Sequence, residues 1–178
     1  MTGKKEVYMK GYYYQTKLGK LFIAEDEQGI GEVSIIKDTR SCSLAKENIT
    51  GRKELMSCEV EETPLIREAA GQLMEYFDGR RKEFSICLNP KGTDFQKKVW
   101  DALRAIPYGE TRSYKQIAEA VGNKNASRAV GMANHNNPIM CMIPCHRVIG
   151  ANGSLVGYAG GLDIKSELLS MEQKYRSK

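Results

Sequence analysis

The turn Asn89-Pro90-Lys91-Gly92 divides the chain into two stretches with different hydrophobic periods, so the two halves cannot be built alike. Ahead of it the pattern is that of strands. Tyr12 to Leu18 is aromatic and rich in β-formers, Leu21-Phe22-Ile23-Ala24 is a short apolar run, and Ile30 to Ile36 alternates and is β-branched. With a reversal through Glu25-Asp26-Glu27-Gln28-Gly29, these segments predict an antiparallel meander. Thr39 to Glu62 is polar and unpatterned and reads mostly as loop. Thr63-Pro64 then opens a helix, Thr as N-cap and Pro at the first helical position, and Asp78-Gly79 closes it. Phe84 to Leu88 predicts one more strand.

Beyond the turn the period becomes helical. Thr93 or Asp94 caps a helix carrying Phe95, Val99, Trp100 and Leu103, ended by Ile106-Pro107-Tyr108-Gly109. A second helix begins near Ser113 and stops at Gly122. A third runs from Ala126 to Ala133 and is broken by Asn134-His135-Asn136-Asn137-Pro138. The last extends from Asp163 to about Tyr175. The two short middle helices and their glycine turn fit a helix-turn-helix, and equally an ordinary helical hairpin. In the first case Ser127 and Arg128 would stand where the second helix meets a phosphate or a base edge.

Charge separates the halves as well. Residues 1–90 hold 14 Lys/Arg against 15 Asp/Glu, and residues 91–178 hold 13 against 7. A basic half beside a neutral one points to a polyanionic partner. No apolar run approaches the ~20 residues of a membrane span, and the charged start carries no secretory signal. The five cysteines are odd in number and scattered, which fits a reducing, cytoplasmic compartment. With two histidines and no CxxC pair, a metal site has little to draw on.

The segment Ile143-Pro144-Cys145-His146-Arg147-Val148-Ile149-Gly150 sets a thiol beside an imidazole and a guanidinium. Nearby positive charge favours the thiolate, so Cys145 is a candidate nucleophile; an inert cysteine beside a histidine is the alternative. A histidine acting as base wants a third group to orient it, and a carboxylate of the last helix such as Glu172 is a candidate. Cys141, among apolar neighbours, reads as core. The loop Tyr158-Ala159-Gly160-Gly161 is either a plain helix entry or a close backbone approach to a ligand.

Taken together, residues 93 to about 173 resemble the catalytic domain of the 6-O-alkylguanine-DNA alkyltransferases. The matching residues are Phe95-Gln96-Lys97-Lys98-Val99-Trp100, Ile106-Pro107-Tyr108-Gly109-Glu110, Ser113-Tyr114, Ser127-Arg128-Ala129-Val130-Gly131, Asn136-Asn137-Pro138, Ile143 to Ile149 and Gly157-Tyr158-Ala159-Gly160-Gly161. Thr16-Lys17-Leu18-Gly19 looks like the family's first hairpin. The resemblance implies an α+β chain: a small ribonuclease-H-like α/β domain over residues 1–88 and a helical, winged-helix-like domain over residues 92–178.

It also implies roles. Cys145 would accept the alkyl group of 6-O-alkylguanine, and of 4-O-methylthymine, in double-stranded DNA. His146, oriented by Glu172, would act on the thiol through a water. Arg128 would fill the space of the extruded base, with Lys115, Asn123 and Ser127 also on the DNA. Tyr114 would crowd the backbone and offer its phenol to the base, and Asn137 would tie the recognition helix to the active-site turn. The carbonyls of Cys145 and Val148 would receive the guanine amino group, and Tyr158, Ala159 and Gly160 would close over it. A base must leave the stack before its exocyclic oxygen can be reached. The thioether product cannot be hydrolysed by such residues, so one event would consume the protein. The expectation is a monomer using no cofactor and no metal. Ala159 stands where some members have serine, and Asn134 where some have larger apolar residues. No transcription-activator segment is read ahead of the domain, which suggests the constitutive type. Two rivals are a damage binder that transfers nothing and a cysteine hydrolase, which would need direct thiol–histidine contact and an oxyanion hole.

Overall fold

The structure, a computed structural model, describes residues 9–36 and 58–177. Strands β1 (Met9–Thr16), β2 (Gly19–Asp26) and β3 (Gly29–Ile36) form the antiparallel meander, joined by two tight reversals. In the first, Thr16 Oγ1 accepts the Leu18 N–H at 3.1 Å. In the second, Asp26 Oδ1 accepts that of Gln28 at 2.9 Å, and Gly29 takes a φ of 146°. Both are local chemistry that small polar side chains and glycine supply.

A fourth strand, β4 (Cys58–Val60), lies parallel to β1 at the sheet edge, giving the order β3-β2-β1-β4. It falls inside the stretch read mostly as loop. An exposed strand of three residues carries too short a pattern to register, since its pairing comes from distant β1. Residues 39–57 of that stretch lie outside the described residues. Helix α1 (Pro64–Phe77) starts as expected, with Thr63 Oγ1 accepting the Ile66 N–H at 3.1 Å. It buries Ile66, Ala69, Leu73 and Phe77 in a core that also holds Leu21, Ile23, Ile30 and Val33 of the sheet.

Phe84–Leu88 is not a strand. It makes one bridge, Leu88 to Ile30. The Gln72 side chain takes the Ser85 N–H at 2.9 Å, and Pro90 has none to give, so the ladder cannot extend.

The second half holds α2 (Asp94–Arg104), β5 (Arg112–Ser113), α3 (Tyr114–Ala120), α4 (Ser127–His135), β6 (Val148–Ile149) and α5 (Leu162–Tyr175). Thr93 and Ser113 each close a capping box with the glutamine three residues on. β5 and β6 form a two-stranded parallel ribbon beside the helices. Helix α4 runs past the expected break to His135. The halves share one apolar core, and β3 stitches them together. Val33 gives its N–H to Pro138 O and takes that of Met140, each at 2.9 Å, so the sheet holds the segment leading to Cys145.

Candidate active site

That segment is tightly folded upon itself. Met142 N–H bonds Met140 O at 2.9 Å, Ile143 N–H bonds Ile139 O at 3.0 Å and Cys145 N–H bonds Ile143 O at 2.8 Å. Pro144, at φ −82° and ψ 63°, centres the last of these, an inverse γ-turn. Cys141 is core as expected, 1% exposed, yet its φ of 68° is the sole positive value at a non-glycine among the described residues. Such strain persists only where the surroundings enforce it. Asn137 supplies part of that enforcement. Its Nδ2 donates to Ile143 O at 2.8 Å and to Cys145 Sγ at 3.1 Å, and its Oδ1 accepts the Ile139 N–H at 3.0 Å.

Cys145, His146 and Arg147 form a 3-10 turn, so their side chains diverge. The imidazole is fully buried. His146 Nε2 lies 2.8 Å from Glu172 Oε1, bringing together the pair expected from sequence. Glu172 is also fully buried and receives Tyr76 OH at 2.6 Å, Gly109 N–H at 3.0 Å and both Nε and Nη2 of Arg147 at 2.9 Å. Burial opposes ionisation, but His146 first and then Arg147 hold its carboxyl well below the usual range. An ionised Glu172 requires Nε2 to carry the hydrogen. Nδ1 is then the acceptor, and it is buried without a partner.

The guanidinium of Arg147 does not serve the thiol, contrary to the sequence reading. It is committed to Glu172 and, at 2.6 Å, to Ile106 O. The cation whose charge favours the thiolate is that of Lys165, fully buried on α5, which donates to Val148 O at 2.7 Å and Val156 O at 2.9 Å. Burial pushes the Cys145 thiol up, opposed by Asn137 and Lys165. Burial likewise pulls His146 down, opposed by Glu172. The resting pair is therefore a neutral thiol and a neutral imidazole. Tyr76 and Lys165 were not singled out in the sequence. They lie 70 and 19 residues from His146 in chain order, and no local pattern marks either.

Cys145 opens onto a pocket of about 360 Å³ whose walls include Tyr114, Ser127, Asn134, His135, Val156 and Tyr158. Tyr114 OH donates to Val156 O at 2.9 Å, joining α3 to the far wall. Of the four expected pocket residues only Tyr158 lines it. Val148 is buried in β6 with its carbonyl bonded to Lys165, and Ala159 is exposed. Gly160 sits where a Cβ would be 3.2 Å from Met140 Cε. The Cys145 carbonyl already accepts the Val148 N–H.

At Ser127, on the pocket wall, α4 begins without a side-chain cap, so its first N–H groups have no side-chain acceptor. Ser127 is half-buried there, and Arg128 is exposed with no hydrogen bond or ion pair among the described residues. Lys115 is exposed 4.0 Å from Glu119, and Asn123, in the turn, accepts the Asn125 N–H at 3.2 Å. Arg128 and the exposed Met132 lie one helical turn apart on α4.

Residues 94–174 match the DNA binding domain of 6-O-methylguanine DNA methyltransferase, and residues 9–90 its ribonuclease-like domain. A methylated-DNA–protein-cysteine methyltransferase of Methanosarcina acetivorans is 49% identical over 163 residues, 90% of this chain and 97% of the relative. The constitutive one of Bacillus subtilis is 48% identical over 166 residues, 92% of this chain and 96% of the relative. Among solved structures, the O6-methylguanine methyltransferase of Mycobacterium tuberculosis superposes with a TM-score of 0.76 at 37% identity, covering 94% of each chain. The M. tuberculosis OGT in complex with DNA gives 0.79 at 38% identity, covering 93% of this chain and 94% of the other. Matched across both halves, the chain belongs to the 6-O-methylguanine DNA methyltransferase family.

Proposed function

We propose that this protein repairs DNA by taking the alkyl group of 6-O-alkylguanine, and of 4-O-methylthymine, onto Cys145 in a single irreversible event. One observation carries the reading: a buried cysteine, bonded by Asn137 and followed by a histidine with a free acceptor nitrogen, opens onto a pocket beside the exposed start of α4.

Nδ1 of His146, neutral at rest, takes the thiol proton through a water, and Glu172 stabilises the imidazolium. The Sγ–C bond forms as the bond from that carbon to the guanine oxygen breaks. The released base gains the proton that the thiol lost, with the Tyr114 phenol, on the pocket wall, within the same cavity to hand it over. Asn137 and Lys165 favour the thiolate once the proton has moved. Arg128 and Ser127, with Lys115 and Asn123, meet the duplex, where the uncapped N–H groups of α4 suit a phosphate. Arg128, without a partner among the described residues, fills the stack when the lesion is extruded, offsetting a cost of a few kcal/mol. Tyr158, the one expected pocket residue on the pocket wall, closes on the base.

Two domains, 1–88 and 92–178, divide this work as a scaffold and a DNA-reading acceptor, in a cytoplasmic monomer. No described helix is long and apolar enough to cross a membrane. The test is intact mass and peptide mapping after mixing with a duplex containing 6-O-methylguanine. A gain of one CH₂ on Cys145, stopping at one equivalent and absent in Cys145→Ser, is expected. Unmodified protein that still binds the lesion would overturn transfer in favour of damage binding.

A further inference from the structure

Asn134 is the oddity of the pocket. It sits on the inner face of α4 beside Val130 and Ala133, both essentially fully buried. It is itself only 9% exposed, and both polar atoms of its amide are buried with no hydrogen-bond partner. The contrast with Asn137 is sharp, since that amide is bonded through both its nitrogen and its oxygen. Buried side-chain polar atoms nearly always find partners, because an unmet one costs free energy. Helix packing does not call for a polar residue here, as the neighbouring inner positions are apolar. A leucine of similar size would fill the place without the penalty. Asn134 shares the pocket wall with Cys145 and with Tyr158, whose phenol oxygen is also buried and unpartnered.

A methyl group has nothing for such an amide to bond, and an apolar wall would hold it as well or better. An amide offers a donor and an acceptor together, which suits a hydroxyl, itself both. We propose that Asn134 sets the pocket to accept 6-O substituents that carry a hydroxyl, the 2-hydroxyethyl group being the simplest, with the amide bonded to that hydroxyl while Sγ attacks the carbon on the guanine oxygen. The bond from that carbon to the oxygen breaks, the base takes up the thiol proton, and Cys145 becomes its S-(2-hydroxyethyl) thioether. This rests on the alkyl-transfer reading and names the substrate class of the same site.

The experiment compares two duplexes identical except for the lesion, 6-O-(2-hydroxyethyl)guanine or 6-O-propylguanine. Their substituents match in length and differ in a hydroxyl against a methyl. Single-turnover rates come from the mass of the Cys145 peptide with protein in excess. The ratio of the two rates on one preparation cancels the active fraction. Comparing that ratio between native protein and Asn134→Leu cancels intrinsic reactivity. The ratio is expected to fall about tenfold in Asn134→Leu, as one hydrogen bond plus its unmet partner warrants. Asn134→Ala, expected to shift it in the same direction, stands in if the leucine variant does not fold. A ratio unchanged within about twofold would overturn the proposal, whether both rates hold or both fall together, the latter meaning that the amide reads the base. Native protein that also fails to take a methyl from 6-O-methylguanine would remove the underlying reading, and this one with it.

Discussion

Replacing Glu172 by glutamine removes one charge from a buried carboxylate that several donors share. Oε1 receives Tyr76, His146 and Arg147, and Oε2 receives Gly109 and Arg147. Whichever way the new amide turns, its NH₂ faces donors. Arg147, 6% exposed, stays charged with Ile106 O as its remaining charge-free partner. Breaking a buried ion pair from one side costs about 3–5 kcal/mol, and the donor clash puts this case near 4. A domain with ~5–15 kcal/mol of stability survives that, with a melting point lower by about 10 °C. The folded carboxyl lies below its ordinary value, so its contribution is present above about pH 4.3 and is lost as the pH falls. The gap between native and Glu172→Gln should therefore narrow in acid. Transfer should slow about a hundredfold or more, since the imidazolium loses its counter-charge. Urea unfolding followed by circular dichroism at neutral and acid pH, with single-turnover transfer, measures all three. A loss under about 1 kcal/mol at neutral pH, or a gap that widens in acid, would refute the electrostatic account.

Tyr76→Phe deletes one donor to Glu172 and should cost about 1–2 kcal/mol in urea unfolding, moving the acid limb of the rate profile upward as His146 gains basicity; an unmoved limb contradicts the coupling. Arg128→Ala should slow repair of duplex far more than of single strands, and equal losses would sink its role in extrusion. Lys165→Met should raise the Cys145 thiol and move the rising limb of iodoacetamide reactivity to higher pH, while an unchanged limb would show that the cation serves the loop alone. Burial pushes Glu32 up to about 7, so its contribution is fully present below about pH 4.3 and is lost as the pH rises through 7. Glu32→Gln should remove up to about 3 kcal/mol of that alkaline loss, and parallel unfolding curves for the two proteins would disprove it.

Features legible in the sequence share a local cause. Thr63, Thr93 and Ser113 start helices because their hydroxyls reach N–H groups three residues on, which any chain context allows. Cys145 and His146 are adjacent, and Asn137 is near enough in chain order for a motif to carry all three. What stayed hidden is set by tertiary approach. β4 owes its existence to β1, and the segment 84–88 fails as a strand because Gln72 intercepts it. Tyr76 reaches the histidine from the other half of the chain. Arg147 misled for a subtler reason: proximity in sequence to the thiol is undone by the 3-10 turn, which sends its side chain to Glu172. The lysine whose charge does act on the thiol arrives from α5.

The chain has a single tryptophan, Trp100, 1% exposed, whose indole N–H holds Ala133 O at 2.9 Å. That carbonyl belongs to the residue just before Asn134, on the helix that begins with Ser127 and carries Arg128. The molecule thus contains its own optical gauge. Any tilt of α4 on meeting a duplex alters the bond to the indole and so its emission, with no second tryptophan to blur the signal. Stopped-flow fluorescence on unlabelled protein can then time the movement of the helix separately from the chemistry at sulfur, and order the two events.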